Sequence, residues 1–117
     1  MSMDFQRNDR LNKQIARMLA EILLRETSDP RLQKINITRV EVTADLSHAK
    51  VYYTLIQEDP TVTQAIIKAL GFFRSQIAQR LSLRTVPQLK FLYDDRLVKA
   101  RRIEDLIKND KRDEERD

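Results

Sequence analysis

Leu11, Ile15, Met18, Leu19, Ile22 and Leu23 recur every three or four positions and predict an amphipathic helix from about Arg7 to Glu26. Asp29-Pro30 closes it, because proline pushes the residue before it out of the helical region. The period then changes to two. Ala49, Val51, Tyr53 and Leu55 alternate with Lys50, Tyr52 and Thr54, which predicts a strand from Ala49 to Ile56 with one apolar face. A strand is also predicted from Ile35 to Val42, but Ile35 and Ile37 are out of phase with Val40 and Val42; a bulge near Arg39 reconciles the halves. Thr43 to His48 forms the hairpin loop, with Asp45 and Ser47 supplying turn chemistry.

Asp59-Pro60 reads as N-cap and first position of a second helix, continued by Val62, Ala65, Ile66, Ala69 and Leu70. Gly71, the only glycine in the chain, predicts a break, after which Phe73, Ile77 and Leu81 start a third helical pattern ending near Leu83. A plain helix C-cap at Gly71 predicts the same local geometry. After Val86-Pro87, Leu89, Phe91 and Tyr93 alternate as a third strand, and Leu97, Ile103, Leu106 and Ile107 fit a short terminal helix. Residues 109–117 contain no apolar side chain and are expected to be a disordered charged tail behind a single domain of residues 1–108. The order helix, strand, strand, helix, kink, helix, strand makes an α+β domain. Its helices lie on one face of a three-stranded mixed sheet, the last two strands being parallel neighbours across a helical crossover.

Charge changes this picture at one place. Residues 61–93 carry no Asp or Glu, and Lys68, Arg74, Arg80, Arg84 and Lys90 in that window account for the whole net charge of +4. A local excess of one sign attracts polyanions, so these five are the first candidate phosphate contacts. Arg10, Lys13 and Arg17 form a basic stripe on the first helix and a second candidate patch, for which an ordinary solvated face is the competing reading.

Enzymatic readings find little support. One glycine excludes a glycine-rich phosphate loop, the absence of Cys excludes disulfides and thiolate sites, and the lone His48 falls in the hairpin loop. Asp94-Asp95 has no His or further acid near it, and reads as a turn after the third strand rather than a metal or acid–base site. Of Phe72 and Phe73, at least one must be core by periodicity. No catalytic residue, metal or cofactor is expected. No apolar run reaches membrane-spanning length and the N-terminus lacks a signal pattern, so a soluble, cytoplasmic protein is expected.

Several stretches together carry a resemblance. They are Phe5-x-Arg7, Asp29-Pro30-Arg31-Leu32, Asp45 with Ala49-Lys50-Val51-Tyr52, Ala69-x-Gly71-Phe72 with Arg74, Leu83-Arg84, Val86-Pro87-x-Leu89-x-Phe91 and Asp94. In this order and spacing, over about Phe5 to Ile107, the sequence resembles the ribosome-binding factor A family of bacterial small-subunit assembly factors. The resemblance implies a type II KH-like domain in which an Ala-x-Gly kink, here Ala69 to Gly71, replaces the usual Gly-x-x-Gly loop. It adds Arg31 as an RNA-contact candidate. Arg96 stands where the family usually has Ser and Ala100 where it usually has Gly, so the turn after the third strand is where a departure is expected.

The expected function is a non-catalytic factor, monomeric and without a small-molecule substrate. It binds the maturing 30S subunit and assists late folding or processing of 16S rRNA. The family resemblance implies the ribosome; the charge pattern implies a polyanion. Two alternatives stay open: a protein-interaction adaptor with a basic docking surface, and a general single-stranded nucleic-acid binder.

Overall fold

The computed structural model describes residues 3–82, 85–96 and 99–107, with side chains from residue 8 onward. Helix α1 spans Met3–Arg25, strand β1 Ile35–Val42, strand β2 His48–Leu55, helix α2 Val62–Leu81 and strand β3 Gln88–Tyr93. A 3-10 turn at Leu32–Lys34 leads into β1, and residues 99–107 form a further helix, α3. Strand order is β1-β2-β3, with β1 antiparallel and β3 parallel to β2. A parallel pair needs a long crossover, and α2 supplies it. The architecture is the expected α+β domain with a mixed three-stranded sheet.

Helices α1 and α2 cover one face. Ile15, Leu19 and Ile22 of α1 and Phe73 and Ile77 of α2 have no accessible surface, and they enclose Ala49 and Val51 of the central strand. Phe73 packs its ring 5.6 Å from that of Phe91, which ties α2 to β3. The expected bulge is present: Ile37 lies opposite Tyr53 but Arg39 opposite Tyr52, so Thr38 is the extra residue. Without it Val40 and Val42, both buried, would turn to solvent, because a one-residue slip exchanges the faces of a strand. The hairpin turn is also as expected: Asp45 accepts the hydroxyls of Thr43 and Ser47 and the Ser47 amide.

Two expectations are corrected. The break at Gly71 is absent, because α2 runs as one helix of 20 residues through it and the glycine has no positive φ. The left-handed residue is instead Ser82, with φ 51° and ψ 38°, at the C-cap of α2. The start of α2 also moves: Thr61 is its N-cap, and Asp59 folds a turn just before it by accepting the Thr61 amide and hydroxyl. The expected terminal helix is present as α3, and its apolar side packs on nothing among the described residues, since Ile103, Leu106 and Ile107 are all more than half exposed. Leu97, expected in that helix, lies outside the described residues, as do Leu83 and the tail 109–117. No described helix is long and apolar enough to cross a membrane.

Candidate nucleic-acid interface

A cation is available to a polyanion when the fold leaves it exposed and unneutralised, and the predicted contacts divide on that test. On α1, Ile15, Leu19 and Ile22 face the core, which turns Arg10, Lys13 and Arg17 outward. Lys13 meets Asp9 one turn back at 3.3 Å, an exposed pair of little energetic weight. Arg10 and Arg17 are exposed and form no ion pair among the described residues.

The basic window does not form one surface. Helical residues advance by about 100° each, so Lys68, Arg74 and Arg80, spaced six apart, stand roughly a third of a turn from one another around α2. Lys68 is exposed without an ion pair among the described residues. Arg74 is half-buried and donates from Nη2 to the Val86 carbonyl at 3.1 Å, fastening α2 to the segment that enters β3. Arg80 bridges back to α1, with Nη1 3.1 Å from Glu21 Oε2 and Nη2 on Glu26. Arg84 lies outside the described residues. Lys90, on β3, points to the sheet face opposite the helices, where Leu89 and Phe91 do not point. Ala69 and Gly71, expected at a kink, are ordinary positions within α2.

Arg31 is engaged by Asp29 in its own turn and, through Nη1 at 3.5 Å, by the Thr61 carbonyl at the start of α2. Its Nε and Nη2 fork onto Asp29, at 3.1 and 2.8 Å, and its amide caps the same carboxylate. The guanidinium holds the Asp29 carboxyl below its ordinary range. The residues of Asp29-Pro30-Arg31-Leu32 thus build a rigid corner between α1 and β1.

Several contacts that shape the surface were not anticipated by sequence reasoning. Asp94 is 5% exposed and accepts from Arg96 Nε at 3.0 Å, Arg96 Nη2 at 2.8 Å and the Thr38 hydroxyl at 2.6 Å. Arg96, then the Thr38 hydroxyl, hold its carboxyl well below the usual carboxylate range. The turn where a departure was expected is therefore closed, by a guanidinium and by the Arg96 amide at 3.1 Å from Oδ1. Lys34 pairs with Asp59 at 2.9 Å, and Asp59 is held well below its usual range by the Thr61 hydroxyl and then by Lys34. Arg39 lays its guanidinium 3.8 Å over the Tyr52 ring and also binds Glu41. Asn12 Oδ1 accepts the Val42 amide at 2.8 Å, closing one end of the β1 edge. The pairs Asp94–Arg96 and Arg39–Glu41 are two residues apart in the chain, whereas Thr38–Asp94, Lys34–Asp59, Arg39–Tyr52 and Asn12–Val42 join different elements and have no local sequence signal. Phe73 is core and Phe72 is 39% exposed beside it.

Comparison with known proteins agrees with this geometry. The family model described as Ribosome-binding factor A matches residues 7–107. A ribosome-binding factor A from Methylobacillus flagellatus is 49% identical over 108 residues, which cover 92% of this chain and 86% of that protein. One from Shewanella amazonensis is 40% identical over 119 residues, covering 98% and 87%. The crystal structure of ribosome-binding factor A from Thermus thermophilus superposes with a TM-score of 0.67 at 29% identity, covering 74% of this chain and 93% of that one. A homology model of the Thermus thermophilus factor, fitted into the cryo-EM map of its complex with 30S, gives 0.65 at 29% identity, covering 74% and 94%.

Proposed function

This chain belongs to the ribosome-binding factor A family, and from that premise we propose that it is a non-catalytic assembly factor for the small ribosomal subunit. It docks on the maturing 30S particle in the cytoplasm as a monomer and assists late folding or processing of 16S rRNA. The observation that carries the reading is unneutralised charge. Arg10, Arg17, Lys50, Lys68 and Lys90 are exposed, and none forms an ion pair among the described residues. Phosphates release counterions when such side chains reach them, which gives affinity without base readout. A factor of this kind works by binding one rRNA conformation better than another and shifting the population toward it, with no cofactor required.

Cosedimentation with small, large and mature subunits from cell extract, over a range of salt, tests this. Association with the small subunit alone is expected, and log K against log salt should slope by roughly −3.5 to −4.5 if five cations meet phosphates. Equal association with large subunits rejects the reading. A flat salt response with binding retained selects an adaptor instead, with the uncovered apolar side of α3 as its contact.

A further inference from the structure

The sheet face turned away from the helices holds a charge pair that no local reading of the sequence isolates. Ala49, Val51 and Tyr53 are buried under the helices, so Lys50 and Tyr52 point the other way, as does Lys90 between Leu89 and Phe91, which face the core. The parallel register of β2 and β3 sets Lys50 directly beside Lys90. Adjacent strands lie about 4.8 Å apart, so the two stems rise side by side. Both are exposed, and neither forms an ion pair among the described residues. Glu41 is the register partner of Lys50 on its other side, but Arg39 already engages its carboxylate. Like charges placed directly opposite repel, so this pair is an unmet demand for an anion.

We infer that the open face of the sheet is an RNA contact surface, with one backbone phosphate bridging Lys50 and Lys90 and the neighbouring nucleotide lying along the Arg39–Tyr52 row. The inference rests on the function proposed above and names the surface that carries it out. A phosphate between two ammonium groups removes their repulsion and gains a contact to each. Next to them the Arg39 guanidinium, stacked 3.8 Å over Tyr52, offers a flat cationic plane of the kind on which unpaired bases stack. The face offers a protein partner one large aliphatic among the described residues, Leu92, half-buried between polar rows, whereas its exposed ammonium pair suits a polyanion.

The test uses the full chain and purified 30S subunits, with the double variant Lys50→Gln/Lys90→Gln set against Arg101→Gln/Arg102→Gln on α3, which removes the same charge. The first should flatten the salt slope by about 0.7–0.9, the share of one phosphate, and leave the melting temperature unchanged or raised; the second should leave the slope alone. In parallel, a photo-cross-linking residue at exposed Gln88, on the same face, should give an adduct with 16S rRNA. An unchanged slope in the lysine variant overturns the inference while leaving wild-type 30S binding, and hence the proposed function, standing. Equal losses in both variants show a diffuse field and overturn it too, as does an adduct with a ribosomal protein. Wild-type protein that ignores 30S subunits rejects the function itself, and this surface with it.

Discussion

Gly71→Ala separates a continuous α2 from a kinked one. In the continuous helix the residue has no positive φ, and a Cβ placed on it meets nothing within 4 Å. Neither strain nor clash then opposes the propensity difference, and glycine in a helix interior is about 0.8–1.0 kcal/mol less favourable than alanine. The position is exposed, so no core packing has to readjust. Gly71→Ala should therefore stabilise the fold by about 0.5–1 kcal/mol, which for a domain of this size raises the melting temperature by about 2–8 °C. Thermal melts followed by circular dichroism at the helix band, with urea titrations in parallel, measure it. Gly71→Val should gain less, because a β-branched side chain loses rotamer freedom against the preceding turn. A lowered melting temperature for Gly71→Ala would refute the reasoning: it would mean that residue 71 sits at a left-handed kink or a close approach that an L side chain cannot occupy. Small-subunit cosedimentation of the same variant should match wild type.

Ser82→Gly should stabilise by about 0.5–1 kcal/mol, because a left-handed non-glycine residue costs about 1–2 kcal/mol, partly offset by the greater chain entropy of glycine when unfolded; destabilisation in urea would contradict the C-cap geometry. Arg80→Ala should cost about 0.5–1 kcal/mol through its exposed pairs with Glu21 and Glu26 and leave 30S binding intact, and a cycle with Glu21→Ala that shows no coupling would sink the bridge. Arg74→Met should cost about 1–2 kcal/mol by orphaning the Val86 carbonyl, an effect read in urea melts rather than in subunit binding. Acid should destabilise the fold: the Asp29, Asp45, Asp59 and Asp94 carboxyls are all lowered, Asp45 to about 2, so their contribution is complete above the ordinary carboxylate range and is lost as pH falls through the folded values. Asp94→Asn should be less stable than wild type at pH 7, with the gap closing between about pH 4 and the acid limit; a gap that does not change with pH would show that the charge of Asp94 contributes nothing.

Patterns that depend on near neighbours were legible in this chain, and those that depend on distant partners were not. The bulge at Thr38 could be read because a phase slip between Ile37 and Val40 has one economical solution on a sheet with one buried face. The parallel pairing of β3 followed from the length of the crossover alone. Gly71 misled because a glycine weakens a helix by only about 1 kcal/mol. Val62, Ala65 and Ile66 on one side of it, and Phe73 and Ile77 on the other, are buried in the same core and hold the helix across it.

The acid-free window misled for a related reason. An absence of acids along the chain is not an absence in space: Glu21 and Glu26, 59 and 54 residues away in sequence, come back to Arg80. Arg74 depends on the same helix. In the first turn of a new helix after Gly71 its cation would oppose the macrodipole and call for an external partner. In the middle of a continuous α2 that objection vanishes, and the Val86 carbonyl accounts for the residue. Lys50 illustrates the converse. It lies outside the window, in a stretch where acids balance bases, and alternation in β2 already places it on the outer face. That Lys90 stands beside it depends on how the turn at Val86-Pro87 sets the register of β3, a distance no local period encodes. Charge that matters for a polyanion is charge left over after folding, so it can be counted only once the register is known.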